Sequence, residues 1–559
     1  MKKLAWRDAV VARARKPMVA ALPGVSALMM CLASMVLPDA ARAADAPAPT
    51  FDVMAYVIEG NTVLPPEQVE LLVQPYMGPG RTFKDVEAAR TALEKAYQDA
   101  GYLSVVVSIP NQRVDAGEVK LEVTEARVGA LKVSGAKYNL PSHVAEQVPS
   151  MAPGQVPYFP QVQDELAAVQ RPDLQVTPLI SAADQPDQIQ VELKVEDKPA
   201  LSGSVELNSR QSYNTTRGRL EASASCNNLF QRGHNIGLAW QYAPWRPSDA
   251  NTLTGIYGFP LSHDDRVLMT FTRSNSDTPT GTSLGGATLT RGQFFSTRWR
   301  HDLEAWQSPA THSVWLGFDY KNNRDRSVTA SGLDTAKPPL RYPVLGMGYD
   351  LNWQGTGANT GLRLSVSGTT RDLAARQVDC EGVQTDQFDC KRLGARADFA
   401  VFKFGIDHQR ELGDGWRFNG HFDLQLASGP LTSGEQYSLG GIDTVRGYYD
   451  YEQTGDQGWV TQLNLQTPNW GVAAGWRLSA VAFFDRGAVL LQDALSGQVP
   501  RAQLGSYGLG WRAEYGQGLL LSMDVAMPLF ETQRAADAGG YERATKRQPR
   551  VEVRAQQAF

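Results

Sequence analysis

The residues that could carry out catalysis do not fall into the spacings of three common catalytic and ligand-binding motifs. The sequence contains no GxxxxGK(S/T) phosphate-binding loop, no HExxH zinc motif and no GxSxG nucleophile turn. It has 7 histidines, and none pairs with a cysteine at the spacing of metal ligands. We therefore predict a protein that is not an enzyme and that uses no cofactor or metal ion.

Cys380 and Cys390 are the two cysteines whose spacing suggests a covalent bond. They lie in a polar stretch between Thr370 and Arg396, which is typical of a loop. A disulfide between them would stabilise the fold by roughly 3 kcal/mol in the chain-entropy model. Two free thiols and a metal site are the alternatives, and no histidine lies nearby to complete a metal site. Cys226 is expected to be unpaired and buried.

Charge and cysteine content restrict the class of protein. The chain has 559 residues, and its 54 Lys and Arg against 59 Asp and Glu leave a net charge of -5. This balance excludes a strongly basic nucleic-acid-binding protein, so we predict no nucleic-acid partner. Four cysteines in a chain of this length also exclude a disulfide-dense scaffold.

Residues 1–43 have the three-part pattern of a secretory signal peptide. A basic start precedes an apolar segment from Met18 to Leu37, and Ala41-Arg42-Ala43 is a small-x-small cleavage site. An uncleaved anchor helix is the alternative. Cleavage would release the mature chain into an oxidising compartment outside the cytoplasm, where disulfides persist.

Residues 51–126 and 127–198 share one order of elements, namely strand, helix, helix, strand, strand. This repetition indicates two small α+β units in tandem. The clearest element is the amphipathic helix from Thr82 to Ala100, because its apolar residues recur with a period near 3.6 and Gly101 follows it. More than half of the 32 prolines lie before residue 200, whereas most of the 51 glycines follow it. The composition therefore indicates a second architecture beyond that point.

Residues 200–559 alternate between apolar and polar side chains, as strands with two different faces do. Clear examples are 235–242, 362–367, 507–515 and 519–527. A soluble β-sandwich would show the same alternation, but glycines and charges on the polar face, with aromatic residues near strand ends, favour a membrane barrel. At ~22 residues per strand and connection, the segment predicts about 16 antiparallel strands, which is an even number as bacterial barrels require.

The predicted fold class is an all-β transmembrane barrel preceded by two small α+β domains. Phe559 ends an alternating last strand, which is characteristic of barrels embedded in outer-membrane lipid. In such a barrel the loop of Cys380 and Cys390 would lie on the extracellular side.

Two barrel motifs resemble those of the two-partner secretion transporters, the TpsB-type, ShlB/FhaC/HecB-like family of hemolysin activator-like proteins. The first is 435–448, which ends in Val445-Arg446-Gly447-Tyr448 and resembles the family's extracellular loop that folds back into the barrel. The second is the Phe-x-Asp motif of Phe483 and Asp485, on a late strand. A weaker likeness to an early hairpin of the superfamily lies at Asn227-Asn228-Leu229-Phe230.

The N-terminal units resemble the POTRA domain, a periplasmic module that binds polypeptides. The likeness rests on the Gly60-Asn61-Thr62-Val63-Leu64 opening and on the helix that ends at Gly101-Tyr102. The family resemblance covers everything after residue 50. It implies POTRA 1 at 51–126, POTRA 2 at 127–198 and the barrel at 200–559.

The strand around Asp485 gives the resemblance independent physical support. A carboxylate facing lipid would be costly, so alternation directs Asp485 into the lumen, together with Phe483. The resemblance implies that Arg446 pairs with Asp485, and a planar guanidinium can bind a carboxylate through two hydrogen bonds. A solvated loop charge is the alternative for Arg446, and an ordinary turn is the alternative for Gly447.

The resemblance implies an outer-membrane channel that secretes a partner protein from the periplasm to the cell surface, known as two-partner or type V secretion. The POTRA domains would capture the unfolded partner by strand addition, with Leu103 to Ile109 and Leu174 to Leu179 as candidate edges. Folding of the cargo outside the cell would make transport directional without a nucleotide. The barrel assembly machinery would be a further partner during biogenesis.

An outer-membrane barrel-assembly insertase and a passive porin or adhesin are the alternatives. Insertases of the superfamily usually carry more POTRA units, and a porin would need neither these units nor the motifs of Arg446 and Asp485. One departure from the family concerns pore closure. Only 44–50 would precede Phe51 in the mature chain, which is too short for the plug helix of haemagglutinin-type transporters. We expect the loop of Arg446 to close the pore alone, or the pore to leak more.

Overall fold

The computed structural model describes residues 49–559, apart from residues 115, 172, 186, 283–284, 304–309, 325–326, 329–333, 336–337, 472–474, 496–497 and 536–540. The predicted signal peptide, residues 1–43, lies outside the described residues. Across the described part, two small α+β units precede a closed β-barrel. Within that part, no helix combines the length and the apolar composition needed to cross a membrane.

The first unit is a three-stranded sheet with two helices. In sheet order its strands are Ala55–Glu59, Glu118–Glu125 and Val105–Ser108, of which the first two are parallel and the last two antiparallel. Helices Pro66–Val73 and Phe83–Asp99 follow the first strand. The remaining elements are the 3₁₀ turn Gln74–Tyr76 and the paired short strands Phe51–Val53 and Gly78–Arg81.

Helix Phe83–Asp99 begins at a capping box and buries one apolar face. Asp85 accepts hydrogen bonds from the backbone N–H and the hydroxyl of Thr82, at 2.7 and 2.8 Å. The buried side chains recur at helical spacing; they are Val86, Ala89, Leu93 and Tyr97. The helix matches the sequence prediction to within one residue at each end.

The second unit repeats the topology of the first. In sheet order its strands are Arg127–Ser134, Gln188–Asp197 and Leu174–Ala182, again a parallel pair followed by an antiparallel pair. Helices Pro141–Glu146 and Phe159–Val169 lie between the first strand and the other two in the chain. A 3₁₀ turn, Pro149–Met151, separates the helices. In each unit the last strand in the chain is central in the sheet, so among the described residues each of the two edge strands has one unpaired side.

Sixteen antiparallel strands of the described chain close into a barrel, as the sequence predicts. In chain order they are Leu201–Asn208, Arg219–Leu229, His234–Tyr242, Asn251–Pro260, Asp265–Thr282, Gly285–Leu303, Ala310–Asn323, Leu340–Gly355, Ala358–Gly368, Ala400–Gly413, Trp416–Ala427, Gln457–Gln466, Trp476–Leu490, Arg501–Tyr515, Leu519–Pro528 and Arg550–Ala558. The short strand Trp470–Gly471 adds one pairing to Trp476–Leu490.

The barrel closes where its last strand pairs with its first. Ala558 lies opposite Ser204, and Arg554 lies opposite Asn208. The backbones of Phe559 and Gly203 exchange two hydrogen bonds of 3.0 Å beyond the end of this ladder. Closure pairs the first and last strands, so the barrel sheet formed by the described residues has no edge facing lipid.

The predicted alternation separates a lipid face from a lumen face. On strand Arg501–Tyr515, Leu509 is 63% exposed and Trp511 is 44% exposed, as outward side chains on a lipid surface would be. The next residue, Arg512, points inward and binds Asp524 of the neighbouring strand at 2.7 and 2.9 Å. The lumen therefore carries paired charges, while apolar and aromatic side chains cover the outside.

Two long loops extend from the barrel end opposite the N-terminal units, here called the outer mouth. The loop of residues 369–399 contains helices Arg371–Ala374 and Gln387–Lys391 and the hairpin of Gln377–Cys380 with Val383–Asp386. The loop of residues 428–456 contains the hairpin of Tyr437–Leu439 with Gln453–Gly455. Shorter hairpins at this end pair Ser327–Val328 with Asp334–Thr335 and Gln533–Ala535 with Tyr541–Arg543.

The structure joins Cys380 and Cys390 in a disulfide with an Sγ–Sγ distance of 2.08 Å. Cys226 is a free thiol, but it is half-buried rather than buried as expected. It lies directly opposite Ile236, which is 41% exposed on the lipid face. Because opposite residues of paired strands share a face, the position of Cys226 on its strand explains the difference.

Candidate functional site in the barrel lumen

The loop of residues 428–456 turns from the outer mouth into the lumen. Gly440 and Gly441 have φ angles of 108° and 95°, a backbone conformation that favours glycine, and they lead into the tip of the loop. Apolar residues of the loop and of the barrel wall then pack in one buried cluster. Its members are Leu439, Val445, Tyr448, Val460, Val489 and Leu504. This packing holds the tip against the wall inside the barrel.

Arg446 and Asp485 form a buried ion pair at this tip. The Nε and Nη2 groups of Arg446 donate to Oδ2 and Oδ1 of Asp485, at 2.7 and 2.6 Å. The backbone N–H of Arg446 adds a third hydrogen bond to Oδ2, at 3.1 Å. Asp485 has no exposed surface and Arg446 is 5% exposed. The structure thus brings the loop motif and the wall motif into direct, two-pronged contact.

Two further groups of the wall fix the orientation of Arg446. Asn464, on the neighbouring strand, accepts a hydrogen bond from Nη2 at 2.8 Å. The guanidinium lies over the ring of Phe483. Gly508 lies directly opposite Phe483, and a Cβ at this position would come within 2.4 Å of the ring. Glycine at 508 therefore leaves the space that the ring occupies.

Gly447 and Tyr448 extend the contact to the last strands of the barrel. The backbone N–H of Gly447 donates to a carboxylate oxygen of Glu552 at 3.0 Å. The Tyr448 hydroxyl lies 2.9 Å from the carbonyl oxygen of Gly505 and 3.0 Å from that of Phe530. Tyr448 is almost fully buried. All four residues of the loop motif, Val445 to Tyr448, therefore contact the wall or the apolar cluster.

Strand Trp476–Leu490 presents its motif through simple alternation. Ser479, Val481, Phe483 and Asp485 are all buried on the lumen face, whereas Phe484 between them is 37% exposed on the lipid face. The strand order places Asp485 opposite Gln462 of one neighbour and Ser506 of the other. The carboxylate is therefore fixed by a regular sheet, whereas its partner Arg446 comes from a loop.

The sequence interpretation missed Asn464 and Glu552. Both sit between outward apolar residues: Asn464 between Leu463 and Leu465, and Glu552 between Val551 and Val553. Alternation alone therefore directs both side chains into the lumen. Nothing local in the sequence indicates that they meet Arg446 and Gly447, because those contacts depend on how a long loop folds.

The second α+β unit is docked on the inner mouth of the barrel. Gln231 lies in the first turn at this end and donates to the carbonyl oxygen of Tyr138 at 3.0 Å. Asn228, in the early hairpin, donates to Asn139 Oδ1 at 2.7 Å. The backbone of Asn228 and Gln231 is left-handed, with φ of 53° and 58°, so the turn takes a less common shape to make these contacts.

A large cavity runs from this docked unit to the underside of the inward loop. Its volume is about 2040 Å³, and its lining includes Gln170 and Arg171 of the second unit together with Glu435 and Tyr437 of the loop. A smaller cavity of about 470 Å³ borders Arg446 itself. Within the described part of the chain, no group of three or more His, Cys, Asp or Glu side chains is arranged to hold a metal ion. Residues of the inward loop therefore border both cavities.

Comparison with known proteins agrees with this geometry. Residues 187–513 match the family described as haemolysin secretion/activation protein ShlB/FhaC/HecB, and residues 51–126 match the ShlB-type POTRA domain. The chain is similar to the outer membrane transporter CdiB of Escherichia coli, with 24% identity over 483 residues, covering 81% of this chain and 75% of the relative.

Solved structures show the same fold. CdiB from Escherichia coli superposes with a TM-score of 0.62 at 18% identity, covering 94% of this chain and 93% of that chain. CdiB from Acinetobacter baumannii gives a TM-score of 0.52 at 13% identity, covering 92% and 90%. The barrel, the POTRA domain and the family match place the protein in the outer membrane with its N-terminal units in the periplasm. The chain belongs to the haemolysin secretion/activation protein ShlB/FhaC/HecB family and is an outer-membrane channel for two-partner secretion of a protein.

Proposed function

We propose that the two periplasmic units, POTRA 1 at 51–126 and POTRA 2 at 127–198, capture the unfolded partner by adding one of its strands to a free sheet edge. The predicted edges correspond to Val105–Ser108 and Leu174–Ala182, and each of these strands has one unpaired side. Val106 is 54% exposed on the first and Leu179 is 50% exposed on the second. Such an edge offers backbone hydrogen bonds to any extended segment and apolar contacts to alternate side chains.

The captured segment then enters the barrel of residues 200–559 through the large cavity beside POTRA 2. POTRA 2 and the barrel lumen border the same cavity, so a segment bound at POTRA 2 has a continuous path into the barrel. Folding of the cargo at the cell surface supplies direction, so the proposal needs no nucleotide, no cofactor, no metal and no enzymatic step. It also involves no nucleic acid.

The other partners in the proposal are outer-membrane lipid and, during biogenesis, the barrel assembly machinery. Residues 1–43 direct export as a signal peptide.

The loop of Arg446 acts as the gate in this proposal. The observation that carries it is the burial of Arg446 and Asp485 against each other inside the lumen. Breaking this buried ion pair would leave a charge without its partner, so the pair stabilises the conformation in which the tip lies in the lumen. Passage of a polypeptide requires a second conformation, in which the tip has left the lumen.

Planar-bilayer recording of the purified full chain tests the gate. Arg446→Ala should raise the conductance, because the loop loses its ionic contact with the wall. Arg477→Ala is the matched control: this residue lies on the same strand as Asp485 and pairs with Glu514, but it is 56% exposed. A closed trace that is unchanged in Arg446→Ala would contradict the gate.

Deletion of the gene tests the transport function itself. Loss of one secreted protein from the medium, restored by the wild-type gene, would support two-partner secretion. General loss of outer-membrane barrels would instead indicate an assembly insertase, and altered uptake of small solutes alone would indicate a porin. Asp485→Asn in the complementing gene connects the secretion assay with the bilayer recording. This variant removes the charge that Arg446 binds while it keeps the side-chain shape.

A further inference from the structure

The loop of residues 369–399, here called the disulfide loop, fills part of the outer mouth. Phe388 is almost fully buried, and its ring centroid lies 5.0 Å from that of Tyr342, which is fully buried at the outer end of a barrel strand. Gln387 binds both backbone groups of Arg341, accepting at 3.1 Å and donating at 2.9 Å. The loop is therefore packed into the mouth rather than projecting away from it.

Arg392 follows this packed segment and binds Asp456. Its Nη2 donates to Asp456 Oδ2 at 2.9 Å, and its Nη1 donates to Oδ1. The same guanidinium donates to the carbonyl oxygens of Leu431 and Gln492, each at 2.6 Å. The side chain of Arg392 is 12% exposed and that of Asp456 is fully buried. This is a second buried, two-pronged ion pair, and it joins the disulfide loop to the loop that carries Arg446.

Asp456 sits at the base of the loop that carries Arg446. It is the last residue of that loop, and strand Gln457–Gln466 begins directly after it. Its carboxylate also accepts hydrogen bonds from the backbone N–H groups of Leu431, at 2.9 Å, and Gln492, at 2.7 Å. Leu431 lies at the other base of the same loop. One carboxylate thus ties both ends of the Arg446 loop to the disulfide loop and to the loop that contains Gln492.

The Cys380–Cys390 disulfide fixes the segment from which Arg392 projects. Cys390 is the second-last residue of helix Gln387–Lys391, and Arg392 follows that helix directly. Cys380 ends the neighbouring hairpin strand Gln377–Cys380. The covalent bond therefore holds the helix against the hairpin and limits where the guanidinium can move. Reduction would remove this covalent restraint on the helix without altering the charges of Arg392 and Asp456.

We propose that Arg392 and Asp456 form a second latch, at the base of the gate, which must open before the Arg446 loop can leave the lumen. Arg392 is a positioning residue: it acts on the Arg446 loop through Asp456, and the disulfide holds it in place. The inference rests on the proposed gate, since a base latch matters only if the loop moves. The ion pair of Arg446 with Asp485 at the tip and the ion pair of Arg392 with Asp456 at the base then both stabilise the closed pore.

Planar-bilayer recording of the full chain separates the two latches. Arg392→Ala and Asp456→Asn should each raise the open fraction at least about tenfold, which corresponds to about 1.4 kcal/mol. The double variant with Arg446→Ala should be open for longer than either single variant. Arg396→Ala is the matched control, because Arg396 lies on the same loop and pairs with Asp398 but is 61% exposed. Unchanged migration of the unheated barrel on gels confirms that each variant is folded.

Reduction gives a readout that a purely structural role would not move. A reductant should raise the open fraction of the wild type but add nothing in Arg392→Ala, whose latch is already lost. Arg392→Lys keeps the charge without the two-pronged geometry and should lie between wild type and Arg392→Ala. If Arg392→Ala does not reach the membrane, Asp456→Asn decides, because it is nearly isosteric.

The results that overturn the second latch are distinct from those that overturn the gate. If Arg446→Ala opens the pore while Arg392→Ala and Asp456→Asn behave like Arg396→Ala, only the second latch is wrong. An equal effect of the reductant on wild type and Arg392→Ala also overturns it, since the disulfide would then act elsewhere. If Arg446→Ala itself leaves the pore closed, the proposed gate is wrong, and the second latch that rests on it is wrong too.

Discussion

The guanidinium carbon of Arg446 lies 3.7 Å from the ring centroid of Phe483. Phe483 and Asp485 stand on the same face of one strand, two residues apart, so a single strand offers the cation both an aromatic face and a carboxylate. A cation over a ring in a desolvated site gains about 2 kcal/mol or more. The Phe-x-Asp motif is therefore one binding site for one arginine, and its two residues have separate physical roles.

The ring of Phe483 should contribute to closure independently of the charge. Phe483→Leu keeps apolar bulk but removes the negative face of the ring, so we expect the closed state to weaken by about 2 kcal/mol and the bilayer conductance to rise. Phe484→Leu, one residue away on the lipid face, is the matched control. Equal conductance in the two variants would show that the ring of Phe483 contributes only apolar packing and no cation–π contact.

Gly447 should tolerate no side chain. Its φ angle is 88°, which costs a residue with a Cβ roughly 1–2 kcal/mol, and an added Cβ would lie 3.0 Å from that of Ala526. Gly447→Ala should therefore displace the tip of the loop, and planar-bilayer recording should show a raised conductance. Gly429→Ala on the same loop is the control, because a Cβ there meets nothing within 4 Å. Closed traces for Gly447→Ala would mean that the tip relaxes without leaving its site.

The barrel could be predicted from the sequence because its signal is repeated in every strand. Alternation places Trp511 outside and Arg512 inside by counting alone, and the structure keeps that assignment. Dividing the segment by an average repeat also gives the observed number of strands. Cys226 was predicted to be buried because it was treated as a lone thiol; its place opposite Ile236 on an alternating strand accounts for its half-buried position.

The loops could be predicted only where a motif marks them. Arg446 and Asp485 were both found by resemblance to family motifs, and strand alternation independently directed Asp485 into the lumen. Arg392 and Asp456 carry no such mark, because their pairing depends on two loops that meet at the outer mouth, 64 residues apart in the chain. Long loops have no period, so single contacts of this kind appear only in the folded structure.

Acid should loosen POTRA 2 from the barrel through Asp197. Burial raises the pKa of Asp197, but hydrogen bonds from the backbone N–H groups of Tyr138, Lys137 and Asn139 outweigh it and hold the pKa below its ordinary value of 3.8. A carboxyl with a lowered pKa stabilises the fold above its unfolded pKa, and this contribution is lost as the pH falls through the folded pKa. The turn at Asn139 that binds Asn228 should therefore loosen below about pH 4.

Pepsin cleavage of the membrane-embedded chain checks this dependence. In the wild type, cleavage in POTRA 2 should accelerate as the pH falls below the ordinary value of 3.8. Asp197→Asn should be cleaved rapidly across the whole acidic range, because the amide cannot accept the same set of hydrogen bonds. Asp184→Asn, an exposed carboxyl on the same unit, corrects for the pH dependence of the protease. Identical profiles for Asp197→Asn and the control would rule out this role.

The sheet edge that binds the partner can be located by measuring how close the partner lies to one exposed residue on each of the three strands. In POTRA 1, Val106 lies on one edge strand, Glu122 on the central strand and Val57 on the other edge strand, and all three side chains are exposed. Neighbouring strands lie about 4.8 Å apart, so a strand added beside Val106 would be about twice as far from Glu122.

A short-range photoreactive residue at each of these positions, in cells that secrete the partner, turns this spacing into a measurement. We expect a crosslink to the partner at Val106, little at Glu122 and none at Val57, because strand addition occurs at one edge and the signal decays across the sheet. The same series in POTRA 2 is Leu179, Glu192 and Lys132, from the candidate edge to the opposite one. A signal strongest at Val57 or Lys132 would assign the opposite edge. Equal signal at all three positions of a unit would mean that the partner lies across the sheet face, and capture by strand addition would then be wrong.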